Sequence, residues 1–561
     1  MKSDLEKVIE QAVYDIFRER AAVDLAYPDE KFGDYSTNVA MTLAGKLKKS
    51  PTEISAKLGE AIKQNKEFIK SVDMAGPGFM NITLTDKALW SAMSNEPRKQ
   101  LDGQSIIAEY SDPSAFKVLH VGHLYTSLVG DAIANLLEAV GGEVHRVNFG
   151  GDVGLHVAKT MWAIIRALGG EKPLFLERID VDKRAEWMSE RYVEGNAEYD
   201  DDEHTKQEIL ELNKRIYRIH TDNDHNSPFA KIYWTCRQWS YDYFDMFYAL
   251  IGSHFEKYYP ESLTMPVGIK TVKEQLVKGV YKESDGAIIF PGEKYGLHTR
   301  VFINSQGLPT YETKDVGLIM MKWQDYHYDK SIILTDSSQA EYMAVVLKSV
   351  EQFAKELVDR TTHITHGRVK LAGDVKMSSR KGNIVRAVDV LSAVDKANKK
   401  LNGHNANDAA VLGAVKYAFL KNRIGADIVY DPEESVSLEG NSGPYLQYSH
   451  ARACSIVQKS KSFDEEADSN NFTISLETDE RSLARKISEY PDVVNRAAEQ
   501  LMPHLICTYL YELSQNFNSF YEHNRVIGGD RELQRIQLVS CYAKTLRSGL
   551  ALLGIEAPEH I

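Results

Sequence analysis

The sequence predicts a doubly wound α/β domain, preceded by a small α/β unit and followed by an all-helical region. Three observations carry the prediction. The chain has 561 residues, more than one hydrophobic core organises, so several domains are expected. Between Ser105 and Phe149 a strand, a loop, a helix and a strand follow one another, the βαβ unit of a parallel sheet. Beyond about Val385 the apolar spacing is helical almost throughout.

Residues 1–90 read as the small α/β unit. A first helix spans MKSDLEKVIEQAVYDIFRER, Asp34 to Asn38 open a second, and Pro51 sits in the first turn of a third behind the cap Ser50. Gly-Pro-Gly inside Val72–Leu84 reads as a turn entering a strand. Residues 100–385 hold the doubly wound domain. Ile106, Ile107 and Ala108 form its first buried strand. Leu124, Leu128, Ala132, Leu136 and Ala139 then share one helix face, Gly141-Gly142 stop that helix, and Val144–Phe149 is the next strand. A charged, Trp- and Tyr-rich helical run at about 160–265 suits an insertion between the halves of the sheet. In the helical region, 386–561, the polar stretch Phe463–Asn471 reads as an exposed loop.

Hydrophobic residues at 43% and charged residues at 26% are the balance of a folded protein. No apolar run approaches the ~20 residues of a membrane span, and the N-terminus lacks the apolar core of a signal peptide. A cytoplasmic protein with no membrane partner is expected. Cys236, Cys454, Cys507 and Cys541 form no CxxC pair, so neither a structural zinc nor a disulfide framework is expected. The net charge of −13 argues against indiscriminate nucleic-acid binding but leaves room for a local basic patch.

Two motifs carry chemistry. His120-Val121-Gly122-His123 falls where the first strand's loop meets a helix N-terminus, a natural anion site. Ring N–H groups three residues apart can reach phosphate oxygens, Gly122 permits close approach of a nucleotide, and Lys117 adds a cation at the mouth. Far downstream, Lys376-Met377-Ser378-Ser379-Arg380-Lys381-Gly382 combines cations and hydroxyls in a phosphate-binding loop. Taken singly, each also reads as ordinary structure: paired surface histidines, or a solvated basic turn.

Together, HxGH followed by a KMS-type motif resembles the class I aminoacyl-tRNA synthetases, whose Rossmann-like domain forms an adenylation site from the two. That resemblance implies ATP with Mg²⁺, bound by His120, Gly122, His123, Lys376, Met377, Ser378 and Arg380, with Lys117, His120, His123 and Lys376 catalytic. Ser379 stands where the family has a second lysine, and Lys117 is the first choice to replace its charge, ahead of Arg380 and Lys381. Five further stretches sharpen the resemblance to arginyl-tRNA synthetases over nearly the whole chain. They are Glu109–Ser114, Tyr311–Gly317, Gly440–Arg452, the closing LLGIEAPEHI, and the GPGFMNITL strand of the N-terminal unit. The implied reaction is activation of L-arginine and its transfer to tRNA(Arg) by a monomeric enzyme.

A guanidinium needs a fixed carboxylate and flat polar neighbours. Asp315 and Glu109 are the candidate carboxylates and Tyr311 offers a hydroxyl and a ring face, whereas Asp315 as a helix cap and Tyr311 as core are the ordinary alternatives; the resemblance assigns Glu109, Ser114, Tyr311, Asp315 and Gln339 to arginine. For tRNA, Tyr445 and Tyr448 share a helix face and offer stacking surfaces in a C-terminal anticodon-binding domain, the alternative being a packed bundle stripe. In the N-terminal unit Phe79 and Asn81 face one way along a strand, suited to a D-loop base. Three further positions depart from the family: Ser114 replaces Asn, Tyr342 replaces His, and the chain ends in Ile561 rather than Met. A class I synthetase of other specificity, a nucleotidyltransferase of the HxGH superfamily and a non-catalytic tRNA-binding relative are the competing readings.

Overall fold

The computed structural model describes residues 1–371, 385–402, 408–460 and 475–560. The KMS-type motif, Lys376–Gly382, and the loop expected at Phe463–Asn471 lie outside the described residues, as does Ile561.

In the N-terminal unit the helices Lys2–Phe17, Val39–Leu47 and Pro51–Ile62 accompany a three-stranded antiparallel sheet. Ser50 caps the third helix by accepting from the Glu53 N–H at 3.2 Å. The second helix begins later than its local signals suggest, because Tyr35–Thr37 pairs with Met80–Ile82 as a strand. Pairing across the sheet overrides the capping residues here. The helix Thr478–Ser488 of the C-terminal bundle docks on this unit. Arg481 reaches Asp34 at 2.5 Å and Asp86 at 2.6 Å, and the Tyr27 hydroxyl donates to Asp492 at 2.5 Å.

The central sheet has five parallel strands: β1 (Ser105–Glu109), β2 (Glu143–Gly150), β3 (Lys257–Pro260), β4 (Lys330–Asp336) and β5 (Thr361–His366), in the order β5-β4-β1-β2-β3. Helix α1 (Val121–Ala139) crosses from β1 to β2. The chain leaves β1 toward one edge and returns through β4 on its other side. The switch point therefore lies between β1 and β4, and a crevice opens at their carboxyl ends.

The helical run Arg184–Asp201, Glu203–Thr221 and Pro228–Ile251 occupies the crossover from β2 to β3, inside the first half of the sheet and not between the halves. A second inserted piece follows β3. Helix α2 (Glu261–Val277) leads into an antiparallel sheet of Lys282–Ser284, Ala287–Phe290 and Arg300–Ile303, and then into α3 (Tyr311–Tyr326). Gly268 and Gly317 let α2 and α3 touch backbone to backbone: a Cβ on Gly317 would lie 2.1 Å from the Thr264 carbonyl oxygen. Helix α4 (Ala340–Glu351) leads from β4 toward β5.

Among the described residues, five helices, from Gly443–Lys459 to Glu532–Leu552, make the C-terminal bundle. The region after Val385 is not wholly helical, since Ile428–Tyr430 pairs in parallel with Val369–Leu371. The bundle and α1 share one hydrophobic core, and Asn135 on α1 donates to the Leu552 carbonyl at 3.2 Å.

Candidate active site

The loop from β1 to α1 is held in a conformation that its own residues disfavour. Ser111, Asp112 and Phe116 all have left-handed backbones (φ +75°, +45° and +68°). Surrounding bonds enforce it: the Phe149 N–H donates to Asp112 at 2.7 Å, the Phe116 N–H to Ser240 at 2.9 Å, and Ser111 bonds the Tyr248 hydroxyl at 2.7 Å. Strain of this kind persists where a site is preorganised. Burial, and next the nearby Glu109 charge, push the Asp112 carboxyl well above its ordinary range.

The loop delivers His120 and His123 to the first turn of α1. They cap it reciprocally: the Gly122 N–H donates to His120 Nδ1 at 3.1 Å, and the His120 N–H donates to His123 Nδ1 at 3.1 Å. With both Nδ1 atoms accepting, each neutral ring carries its proton on Nε2. Burial holds both rings neutral, His120 at about 4 and His123 well below its ordinary value, and the Lys117 charge adds to the effect on each. Gly122 is required for a reason the sequence did not disclose. Its Cβ would lie 2.9 Å from the His120 ring, so the space goes to that ring. Lys117 is pulled down to about 8 by burial, while Glu261 opposes the shift. Val385 accepts from the Val121 N–H at 2.9 Å, which ties the far flank of the KMS-type segment to the histidine turn.

Around α3 lies a group of buried charges. Glu261 and Lys314 pair at 2.7 Å, Glu312 and Arg300 at 3.2 Å, and Glu109 takes Lys322 as its partner. Glu109, expected at the guanidinium, thus already holds a cation. Asp315 has no ion-pair partner among the described residues and accepts a hydrogen bond from the Tyr342 hydroxyl. Burial raises Asp315 to about 8; the Tyr342 bond opposes this, and the charges of Glu109, Glu261 and Glu312 add to it. Tyr311 lies one turn before, half exposed, with Lys314 over its ring at 4.7 Å. Ser114 bridges to Gly151 at the end of β2, and exposed Gln339 immediately precedes α4.

The expected tRNA contacts divide. Tyr448 is exposed, with Arg452 one turn further along, whereas the Tyr445 hydroxyl accepts from Asn518 at 2.7 Å and its ring packs near Tyr511. Phe79 is exposed and Asn81 is buried, so the structure does not bring that pair to the surface together. Sequence reasoning left Lys322, Lys314 and Glu261 unassigned. Lys322 had a signal, since it falls seven residues after Asp315 and so on the same face of a helix.

Three family models match the chain in series. They are described as an arginyl tRNA synthetase N terminal domain over residues 1–84, a tRNA synthetases class I (R) catalytic domain over 86–431, and a DALR anticodon binding domain over 446–561. An arginine–tRNA ligase of Porphyromonas gingivalis is 27% identical over 98% of both chains. One from Lactobacillus delbrueckii subsp. bulgaricus is 30% identical over 95% of this chain and 94% of its own. Among solved structures, the arginyl-tRNA synthetase of Thermus thermophilus superposes with a TM-score of 0.80 at 23% identity, covering 100% of both chains. That of Plasmodium falciparum has the same score at 20% identity, covering 100% of this chain and 99% of its own.

Proposed function

The chain belongs to the arginyl-tRNA synthetase family, and we propose how its residues divide the work of activating L-arginine with ATP and passing it to the 3′ end of tRNA(Arg). One observation carries the choice of amino acid. Asp315 is a buried acid with no ion-pair partner among the described residues, beside Glu109, Glu261 and Glu312, which each have one. A guanidinium brings the missing charge in a planar fork that suits a carboxylate. Tyr311 offers a ring face beside it, while Ser114 and Gln339 serve the α-amino and carboxylate end. Glu109, already paired, contributes negative potential and the pocket wall.

The arginine carboxylate attacks the α-phosphorus of ATP, and the α-phosphorus–oxygen bond to pyrophosphate breaks. A carboxylate is a nucleophile at neutral pH, so no general base is required. The neutral histidines supply Nε2–H donors to phosphate oxygens, and Lys117 supplies a cation. Lys376, Met377, Ser378 and Arg380 are assigned to the same phosphates on the resemblance of their motif. The Lys117–histidine cluster offers donors and a cation rather than carboxylate ligands. The Mg²⁺ that accompanies ATP is therefore carried on the nucleotide's own phosphates, where it offsets their charge. In the second step the terminal ribose hydroxyl attacks the adenylate carbonyl and AMP leaves.

The division 1–90, 100–385 and 386–561 assigns the D-loop to the first unit through Phe79, the chemistry to the second, and the anticodon to the third through Tyr448. We assign Tyr445 to supporting Tyr448 and Asn81 to the strand beneath Phe79. Arginine activation depends on bound tRNA in this reading, supported by the direct packing of the bundle on α1, the helix that carries both histidines. No helix among the described residues is long and apolar enough to cross a membrane; the cytoplasmic, monomeric reading rests on the family resemblance. The test is arginine-dependent exchange of pyrophosphate into ATP, with and without tRNA. Exchange that prefers another amino acid in the presence of tRNA overturns the assignment.

A further inference from the structure

We propose that Tyr342 is a positioning residue for arginine, whose hydroxyl holds the Asp315 carboxylate in the plane that a guanidinium meets with two hydrogen bonds. The inference rests on the reading of Asp315 as the guanidinium ligand. Tyr342 stands in the first turn of α4, three residues after Gln339, and donates to Asp315 Oδ2. Burial and the Asp315 charge push its phenol well above the ordinary range, so toward the ionised carboxylate it is the donor.

The terminal torsion of an aspartate is soft and roughly two-fold. Left alone, the Asp315 carboxylate would turn between its neighbours. One hydroxyl on Oδ2 fixes the plane and leaves Oδ1 and a second lone pair of Oδ2 free, which is what a two-pronged donor needs. The ring delivering that hydroxyl is itself braced: the Arg300 guanidinium carbon lies over it at 5.5 Å, and Arg300 is paired to Glu312 at 3.2 Å.

The charges facing Asp315 show why a hydroxyl is suited to this place. From β1 comes Glu109 with its partner Lys322, from α2 comes Glu261 with Lys314, and from α3 comes Glu312 with Arg300. Each of these three acids has a cation, whereas Asp315 and its neighbour Asp112, which takes only the Phe149 N–H, have none among the described residues. A neutral donor orients the carboxyl group without pairing it with a charge, so the group is left to ionise against the substrate's guanidinium. A fixed plane also favours a planar fork over a point charge, and so arginine over lysine. The Tyr-for-His departure at this position thus keeps a donor while changing its reach.

The experiment uses the full-length enzyme with tRNA present. Tyr342→Phe keeps the ring and removes the hydroxyl. The arginine KM should rise about tenfold or more, as for a lost hydrogen bond to a charged group, with kcat and the ATP KM nearly unchanged. The pH below which the arginine KM climbs should move upward, because the ionised carboxylate has lost its donor. In an Asp315→Asn background the same change should add nearly nothing, since coupled residues are not additive. An unchanged arginine KM in Tyr342→Phe, or an equal loss toward ATP, overturns the proposal. If the Phe variant does not fold, Tyr342→His retains a neutral donor and should stay within about threefold of wild type in arginine KM, under 1 kcal/mol; a larger rise overturns it. Should Asp315→Asn also leave the arginine KM unchanged, the guanidinium assignment fails and the role of Tyr342 falls with it; an unchanged KM in Tyr342→Phe alone overturns only the latter.

Discussion

Glu109 at the end of β1 and Lys322 on α3 form an ion pair with both side chains buried, and Lys322 also donates to Ser331 on β4 at 3.2 Å. The pair pins α3 across the switch point of the sheet. Asp315, two turns earlier on the same face, is thereby aimed at the crevice. Lys322→Met leaves a buried carboxylate without its partner and should cost ~3–5 kcal/mol. Chemical denaturation of the variant reads this as a lowered midpoint, and adding Glu109→Gln should restore most of it. A single variant as stable as wild type would mean that the pair does not anchor the helix.

His123→Ala should lower aminoacylation at least ~100-fold, the loss expected for one donor to developing charge, with tRNA binding nearly unchanged. Because burial lowers His120 to about 4 and holds His123 well below its ordinary value, the rate should show no histidine inflection near pH 6.5. An inflection there that disappears with His123 would show that the ring acts as a cation.

Lys117 titrates in the opposite sense to a gain of activity. It is a cation below about 8 and loses its charge above that value. The kcat/KM for ATP, which reports the free enzyme, should therefore fall as pH rises through about 8. Lys117→Arg stays charged and should remove the fall. A profile that declines equally in both enzymes places the titrating group elsewhere.

Asp315 couples binding to stability. Its folded value of about 8 lies above the 3.8 of an ordinary aspartate. Between those values the folded chain holds a proton that the unfolded chain has lost, so stability is fully present below 3.8 and declines as pH rises toward 8. Asp315→Asn should abolish that decline in the ligand-free enzyme, measured as the thermal midpoint across pH 4 to 8. The same variant should raise the arginine KM by more than about tenfold while sparing ATP, since loss of a buried charge partner is worth ~3–5 kcal/mol. Opposite effects on stability and on arginine affinity identify a binding group; a helix cap would lower stability and leave affinity alone.

In the proposed assignment, Ser114 offers the substrate a short hydroxyl where the family resemblance places an amide. Ser114→Asn should keep activity and lower the arginine KM between roughly twofold and tenfold, the value of one neutral hydrogen bond. A raised KM would show that the pocket has closed around the smaller side chain.

Much of the site was legible because its residues lie close together in the chain. His120, Gly122 and His123 occupy one helical turn, Tyr311 and Asp315 another, and local spacing is what a sequence displays. The βαβ unit was legible for the same reason, its apolar periods being set over a few turns or strand residues. What the chain alone could not display are relations across long separations. Arg481 meets Asp34 from 447 residues away, and Lys322 meets Glu109 from 213. The start of the second helix was likewise decided by strand pairing to Met80–Ile82. The protonation of the histidines, of Lys117 and of Asp315 belongs to this second kind. A side chain's ordinary value is a property of its type, whereas its shift depends on which neighbours exclude water and which charges face it, and only the folded arrangement supplies both.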